Sequence, residues 1–184
     1  MLTWVLPLCA LVLAQGVPAS PTSWAARYDR ASRELDATQV DWRRLFALPD
    51  AAKAAFELGK SDEARQHALE LLSLAGRLPQ NSCGNAIHDG HMVLGRLALA
   101  SGDLQQAEQE LREAGKTPGS PTLNSFGPNM SLALDLLQHK RVDAVVEYFA
   151  LCAAFWKLER GRLHRWTVLA KGGEVPVFGS NLLY

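Results

Sequence analysis

His88 and His91 stand three residues apart, with Asp89 between them and Cys83 just upstream. On a helix that spacing puts both imidazoles on one face, and imidazole is a common ligand for zinc and related metals. A zinc centre needs three or four ligands, so the rest would come from elsewhere in the fold. His88 and His91 are therefore weak metal candidates, and a metal-dependent enzyme using them is the alternative reading of the chain. The competing reading is packing or capping, because His91 falls where the helical pattern calls for a bulky residue. Other catalytic signals are missing from the sequence. Ser120, Ser125 and Ser131 have no G-x-S-x-G context, and there is no phosphate loop or dinucleotide fingerprint. Carboxylates are spread along helix surfaces, where a solvated face is the default. The chain reads as a non-enzyme with no cofactor.

The elements that would position such residues are helical. Apolar residues make up 48% of the 184, enough to bury a core. Lysine plus arginine and aspartate plus glutamate each total 19. That balance excludes the basic stripe a nucleic-acid binder needs, and the polybasic patch of a membrane-surface protein. The largest local excess is the basic stretch Lys157–Arg165.

The first charged side chain is Arg27. Leu2–Leu13 is an apolar run too short to span a bilayer, and small residues follow it. This predicts a secretory signal peptide over residues 1–25, with cleavage after Ala14, Ala19 or Ala25, and an exported, periplasmic or secreted protein without a membrane span. No lysine or arginine precedes the run, so the positive end is the α-amino group or lies upstream. Two cysteines then remain, Cys83 and Cys152. Export permits a disulfide between them, whereas cysteines in helical segments commonly act as small buried apolar residues.

From Ser23 onward the period is helical. A short first helix carries Ala31 and Leu35, and Asp41–Leu48 leads on from it. Pro49 with Asp50 as cap is expected to start a segment that Gly59 closes. Ser61 or Asp62 caps the next helix, with Ala64, Ala68, Leu71, Leu72 and Ala75 on one face. Asn85–Ser101 is helical, Gly102 ends it, and the helix after Asp103 carries Leu104, Ala107, Leu111 and Ala114. Gly59 and Gly102 are 43 residues apart. Small or apolar residues follow both at offsets of five, nine and twelve: Ala64, Ala68, Leu71, then Ala107, Leu111, Ala114. A third unit fits with Pro128–His139, a turn at Lys140–Val142 that lacks glycine, and Asp143–Lys157.

Leu94-Gly95, Ala98, Gly102-Asp103, Ala107, Leu111, Ala114 and Pro118 together resemble the tetratricopeptide family. The resemblance spans about Leu48–Trp156 and is strongest in the middle unit. Units of about 40 residues depart from that family's usual 34. It implies an all-α fold: an α-solenoid of about three helix–turn–helix hairpins over residues 26–170, with capping helices and a capping tail at 171–184. The cluster Tyr148, Phe149, Phe155, Trp156 and Trp166 reads as core, capped by Leu158–Ala170 and the tail. Two stretches lie outside the repeat, Thr117–Asn129 and Lys171–Tyr184. The loop and the ending FGSNLLY are similar to segments of bacterial tetratricopeptide-like proteins that carry no activity to transfer.

The resemblance also implies a groove lined by the first helix of each hairpin, where a peptide or protein partner binds non-catalytically. Counting back from the turns puts Lys53, Glu57, Asp89, Met92, Arg96, Met130 and Gln138 towards it. Lys53 and Arg96 fall one repeat apart. They could hold a carboxylate, or simply pair with nearby acids. The matching asparagine of the family's carboxylate clamp is absent. Asn124, Ser125 and Asn129 either build turns in the long loop or present amides and hydroxyls to the partner.

Overall fold

The computed structural model describes residues 23–79 and 83–182. Residues 1–22, which hold most of the expected signal peptide, and the last two residues lie outside it. Among the described residues there are nine α-helices and no strand. They are α1 (Trp24–Asp36), α2 (Asp41–Glu57), α3 (Ser61–Arg77), α4 (Gly84–Ala100), α5 (Leu104–Gly115), α6 (Pro121–Phe126), α7 (Ser131–Gln138), α8 (Val142–Cys152) and α9 (Arg162–Lys171), followed by a 3₁₀ turn, Gly179–Leu182. None of these helices is long and apolar enough to cross a membrane.

Three hairpins follow one another: α2/α3, α4/α5 and α7/α8. All three turns close in the same way. The residue after the helix end takes a left-handed conformation, at Gly59 (φ 74°), Gly102 (φ 84°) and Lys140 (φ 59°). Its N–H and the next one donate back to orphan carbonyls: Lys60 to Ala55, Asp103 to Ala98, Arg141 to Leu136. Lys140 thus occupies a position the sequence pattern left without glycine. Asp103 caps α5, its carboxylate accepting from the Gln106 N–H at 2.9 Å.

Small residues let the helices approach. Ala52, Ala55, Ala64 and Ala68 form one cluster with Val93, Leu94 and Leu97 between α2, α3 and α4. A Cβ on Gly95 would come within 2.3 Å of the Leu132 side chain, so α4 meets α7 through bare backbone. The first helices touch in the order α2, α4, α7. Each second helix also packs on the first helix of the next hairpin, α3 on α4 and α5 on α7. The largest core cluster gathers α4 through α9, with Tyr148, Phe149, Trp156 and Trp166 inside and Phe178 of the tail closing over Phe149 and Trp166.

Several local expectations are corrected. Pro49 lies inside α2 rather than starting a segment, although its ring removes the bond to the Leu45 carbonyl. Asp50 is not a cap; it accepts from Arg27 at 2.5 Å and Arg30 at 2.8 Å on α1. That ion pairing and the burial of Leu45, Leu48, Ala51 and Ala52 on either side keep the helix continuous. Lys60, not Ser61 or Asp62, precedes α3, and no side chain caps it. The stretch 117–129 contains a short helix, α6, capped by Ser120. The final helix starts at Arg162 because Arg160 and Gly161 both take positive φ. In the tail Phe178 and Asn181 are buried, while Val177 is 88% exposed and covers nothing. Cys83 and Cys152 are free thiols in separate core clusters, which removes the disulfide option.

Candidate functional site

The stretch 117–129 and the tail from 171 to 182 meet at one place. The Asn181 amide donates to the Phe126 and Pro128 carbonyls at 3.1 and 3.0 Å, and the Met130 N–H donates to the Asn181 carbonyl at 2.8 Å. Thr117 Oγ1 donates to the Gly84 carbonyl at 2.7 Å, tying the loop to the start of α4. A Cβ on Gly127 (φ 89°) would lie 2.4 Å from the Trp156 ring, so the loop can pass there only as glycine. Between α2, the start of α4, α6 and the tail lies a cavity of about 480 Å³. Lys53, His88, Asp89, Asn129, Ser125 and Asn181 are among its walls.

A buried polar chain backs this cavity. Lys53 Nζ donates to Asp89 Oδ2 at 2.7 Å, with both side chains about six-sevenths covered (12% and 15% exposed). His88 is 1% exposed; its Nδ1 lies 3.2 Å from Asp89 Oδ1 and its Nε2 3.1 Å from the Tyr148 hydroxyl. That hydroxyl donates to the Asn129 carbonyl at 3.0 Å. Burial alone would raise the Asp89 carboxyl, but the Lys53 ammonium and the His88 hydrogen bond outweigh it and hold it at about 2. The chain therefore links α2, α4, α8 and the loop ahead of α7 through one ionised, well-partnered carboxylate.

The remaining expected residues are placed as follows. Arg96 donates to Glu57 on α2 at 2.6 Å and faces Asp135 on α7 at 3.5 Å. Burial, exceeding the pull of Arg96, holds the Asp135 carboxyl above its ordinary range. Lys53 and Arg96 thus each bridge neighbouring first helices, the pairing alternative of the two readings of these cations. Met92 on α4 and Met130, just ahead of α7, are expected towards the groove but are fully buried in the largest core cluster, because the later helices pack over them. Gln138 is exposed at the end of α7. Asn124 lies away from the cavity, where its Oδ1 accepts from the Lys157 N–H at 3.1 Å. Asn129 Oδ1 accepts from the Ser131 N–H and hydroxyl at 2.8 and 2.6 Å, holding the start of α7. Both asparagines thus do turn work, and only Asn129 also borders the cavity.

His88 and His91 do not converge. His91 Nδ1 lies 2.7 Å from Glu110 Oε2, on the side facing α5. Among the described residues no group of three or more His, Cys, Asp or Glu side chains could hold a metal. Sequence reasoning missed Asn85, Phe126, Arg162 and Asn181. None of the four belongs to a motif or spacing that singles it out in the sequence.

No protein-family model, curated protein or solved structure matches this chain.

Proposed function

We propose that this protein is an exported, non-catalytic scaffold that binds a peptide or protein along the face of its first helices. The reading takes the hairpins as a tetratricopeptide-like solenoid with α2, α4 and α7 lining its concave side. One observation carries it: the two segments that the repeat does not require are both folded against that side and wall a cavity there. Loops that exceed what a connection needs, held on a rigid scaffold, are the usual place for recognition. Phe126, 74% exposed on the cavity rim, supplies an apolar anchor of the kind binding surfaces use.

Capture from the native host with the parent chain and with Phe126→Glu tests this reading. A partner retained by the parent, lost by the folded variant and rebinding as a purified protein is the expected outcome. Equal retention by both chains removes the cavity rim from the interface. Export is tested separately by N-terminal sequencing of the native protein. Cleavage after Ala14 or Ala19 leaves Ser23 in place, whose hydroxyl accepts from the Ala26 N–H at 3.2 Å and caps α1. Finding Met1 would refute export by this route.

A further inference from the structure

We infer that the cavity between α4, α6 and the tail is a binding site for a saccharide, a compact ligand rich in hydroxyl groups, an inference that rests on the same cavity and Phe126 rim as the proposed partner site. Its volume of about 480 Å³ lies in the range of small-molecule sites. Its walls mix apolar groups, Leu123, Phe126 and Pro128, with polar ones, so a ligand that carries both an apolar face and hydroxyl groups fits it. Polar groups left unpaired when such a pocket closes cost affinity, and the ligand must therefore complement donors and acceptors together.

Both kinds of group face this cavity. Arg162 is held ready: its Nε donates to the Glu159 carbonyl at 2.9 Å, Nη2 to the Leu158 carbonyl at 3.2 Å, and the guanidinium lies 4.4 Å over the Trp156 ring. Its Nη1 makes no hydrogen bond among the described residues. Asn85 accepts from Ser120 Oγ through Oδ1 at 2.7 Å, which turns its amide N–H groups to other use. Ser125 adds a hydroxyl that both donates and accepts. Asp89 and Lys53 cancel in charge, so most of the lining is neutral and dipolar. A sugar hydroxyl donates and accepts at one atom, and neighbouring hydroxyls match interleaved groups of this kind. The flat C–H face of a sugar ring also suits the exposed Phe126 ring at the rim. A peptide backbone offers donors and acceptors too, but an extended chain rises about 3.3 Å per residue and needs a groove open at both ends. Here α6 with its following turn, the tail and α4 wall three sides.

The test is an amide NMR titration of the full chain with maltose, chitobiose, digalacturonic acid and, as a peptide control, trialanine. Saturable shifts at Asn85, Ser125 and Ser180 with a saccharide are expected, and Phe126→Ala should weaken them about tenfold while leaving the remaining spectrum unchanged. Preference for digalacturonic acid would show that Arg162 reads a carboxylate on the sugar; preference for the neutral sugars would show hydroxyl recognition alone. Saturation by trialanine and by no sugar overturns the saccharide assignment, as does the absence of saturable shifts with all four probes. Both readings use the Phe126 rim, but they are read out separately: failure of every sugar probe leaves retention of a purified protein partner intact, and failure of protein capture leaves the sugar titration intact.

Discussion

Asp89 concentrates the electrostatics of this protein in one side chain. Its carboxyl is held at about 2 against an ordinary 3.8, by Lys53 and His88 acting against burial. A depressed acid stabilises the fold above its unfolded value, and that stabilisation disappears as pH falls towards about 2. Asp89→Asn should therefore lower stability by roughly 2 kcal/mol at neutral pH. It should also flatten the loss of stability between about pH 4 and pH 2. Urea midpoints of the two chains across that range would measure both effects. Parallel pH profiles would mean that the Lys53–Asp89 contact contributes little in solution.

At the level of elements, the hairpin turns explain why glycine recurs and where it is dispensable. Lys140 adopts φ 59° at the position where Gly59 and Gly102 sit in the other hairpins. A side chain there costs about 1–2 kcal/mol, and glycine gives back part of that gain through its greater freedom when unfolded. Lys140→Gly should raise stability by about 0.5–1 kcal/mol, seen as a higher melting temperature. The opposite test concerns the helix contact. Ala107 is fully buried, and a Cβ on Gly95 would lie 3.5 Å from its carbonyl. Ala107→Phe should overpack the α4/α5 hairpin at a cost of about 1–3 kcal/mol. An unchanged melting temperature would contradict the close packing of these two helices.

Across the whole molecule, the tail does more than cover the last hairpin. Phe178 fills the aromatic core beside Phe149 and Trp166, and Asn181 ties the 126–128 carbonyls to the chain end. Removing that amide leaves two carbonyls without their donor. Asn181→Ala should cost about 1–3 kcal/mol. Hydrogen exchange should rise at the Met130 amide, which donates to the Asn181 carbonyl, and stay unchanged in α3, which lines no part of the cavity. Faster exchange everywhere would show that the latch supports the entire fold rather than the cavity wall.

Periodicity made the hairpins legible. Small residues at fixed offsets after Gly59 and Gly102 demand close helix contacts, whatever surrounds them, and both turns lie where that spacing puts them. The capping of α5 by Asp103 was equally local. Pro49 was misleading for the opposite reason: local rules favour a break, while the α1 arginines and the core hold the helix together. Lys53 and Asp89 could be placed on first helices from the sequence, yet their mutual contact could not, because an ion pair depends on how two helices sit side by side. Counting from the turns puts Met92 and Met130 at the groove, whereas their burial follows from how the later helices pack around them in the core. The cavity was the least visible feature. Its walls come from α2, α4, α6, α9 and the tail, segments with no shared period, brought together only when Asn181 reaches the loop. Short-range pattern decided the helices and their turns; long-range packing alone decided which polar side chains share a pocket.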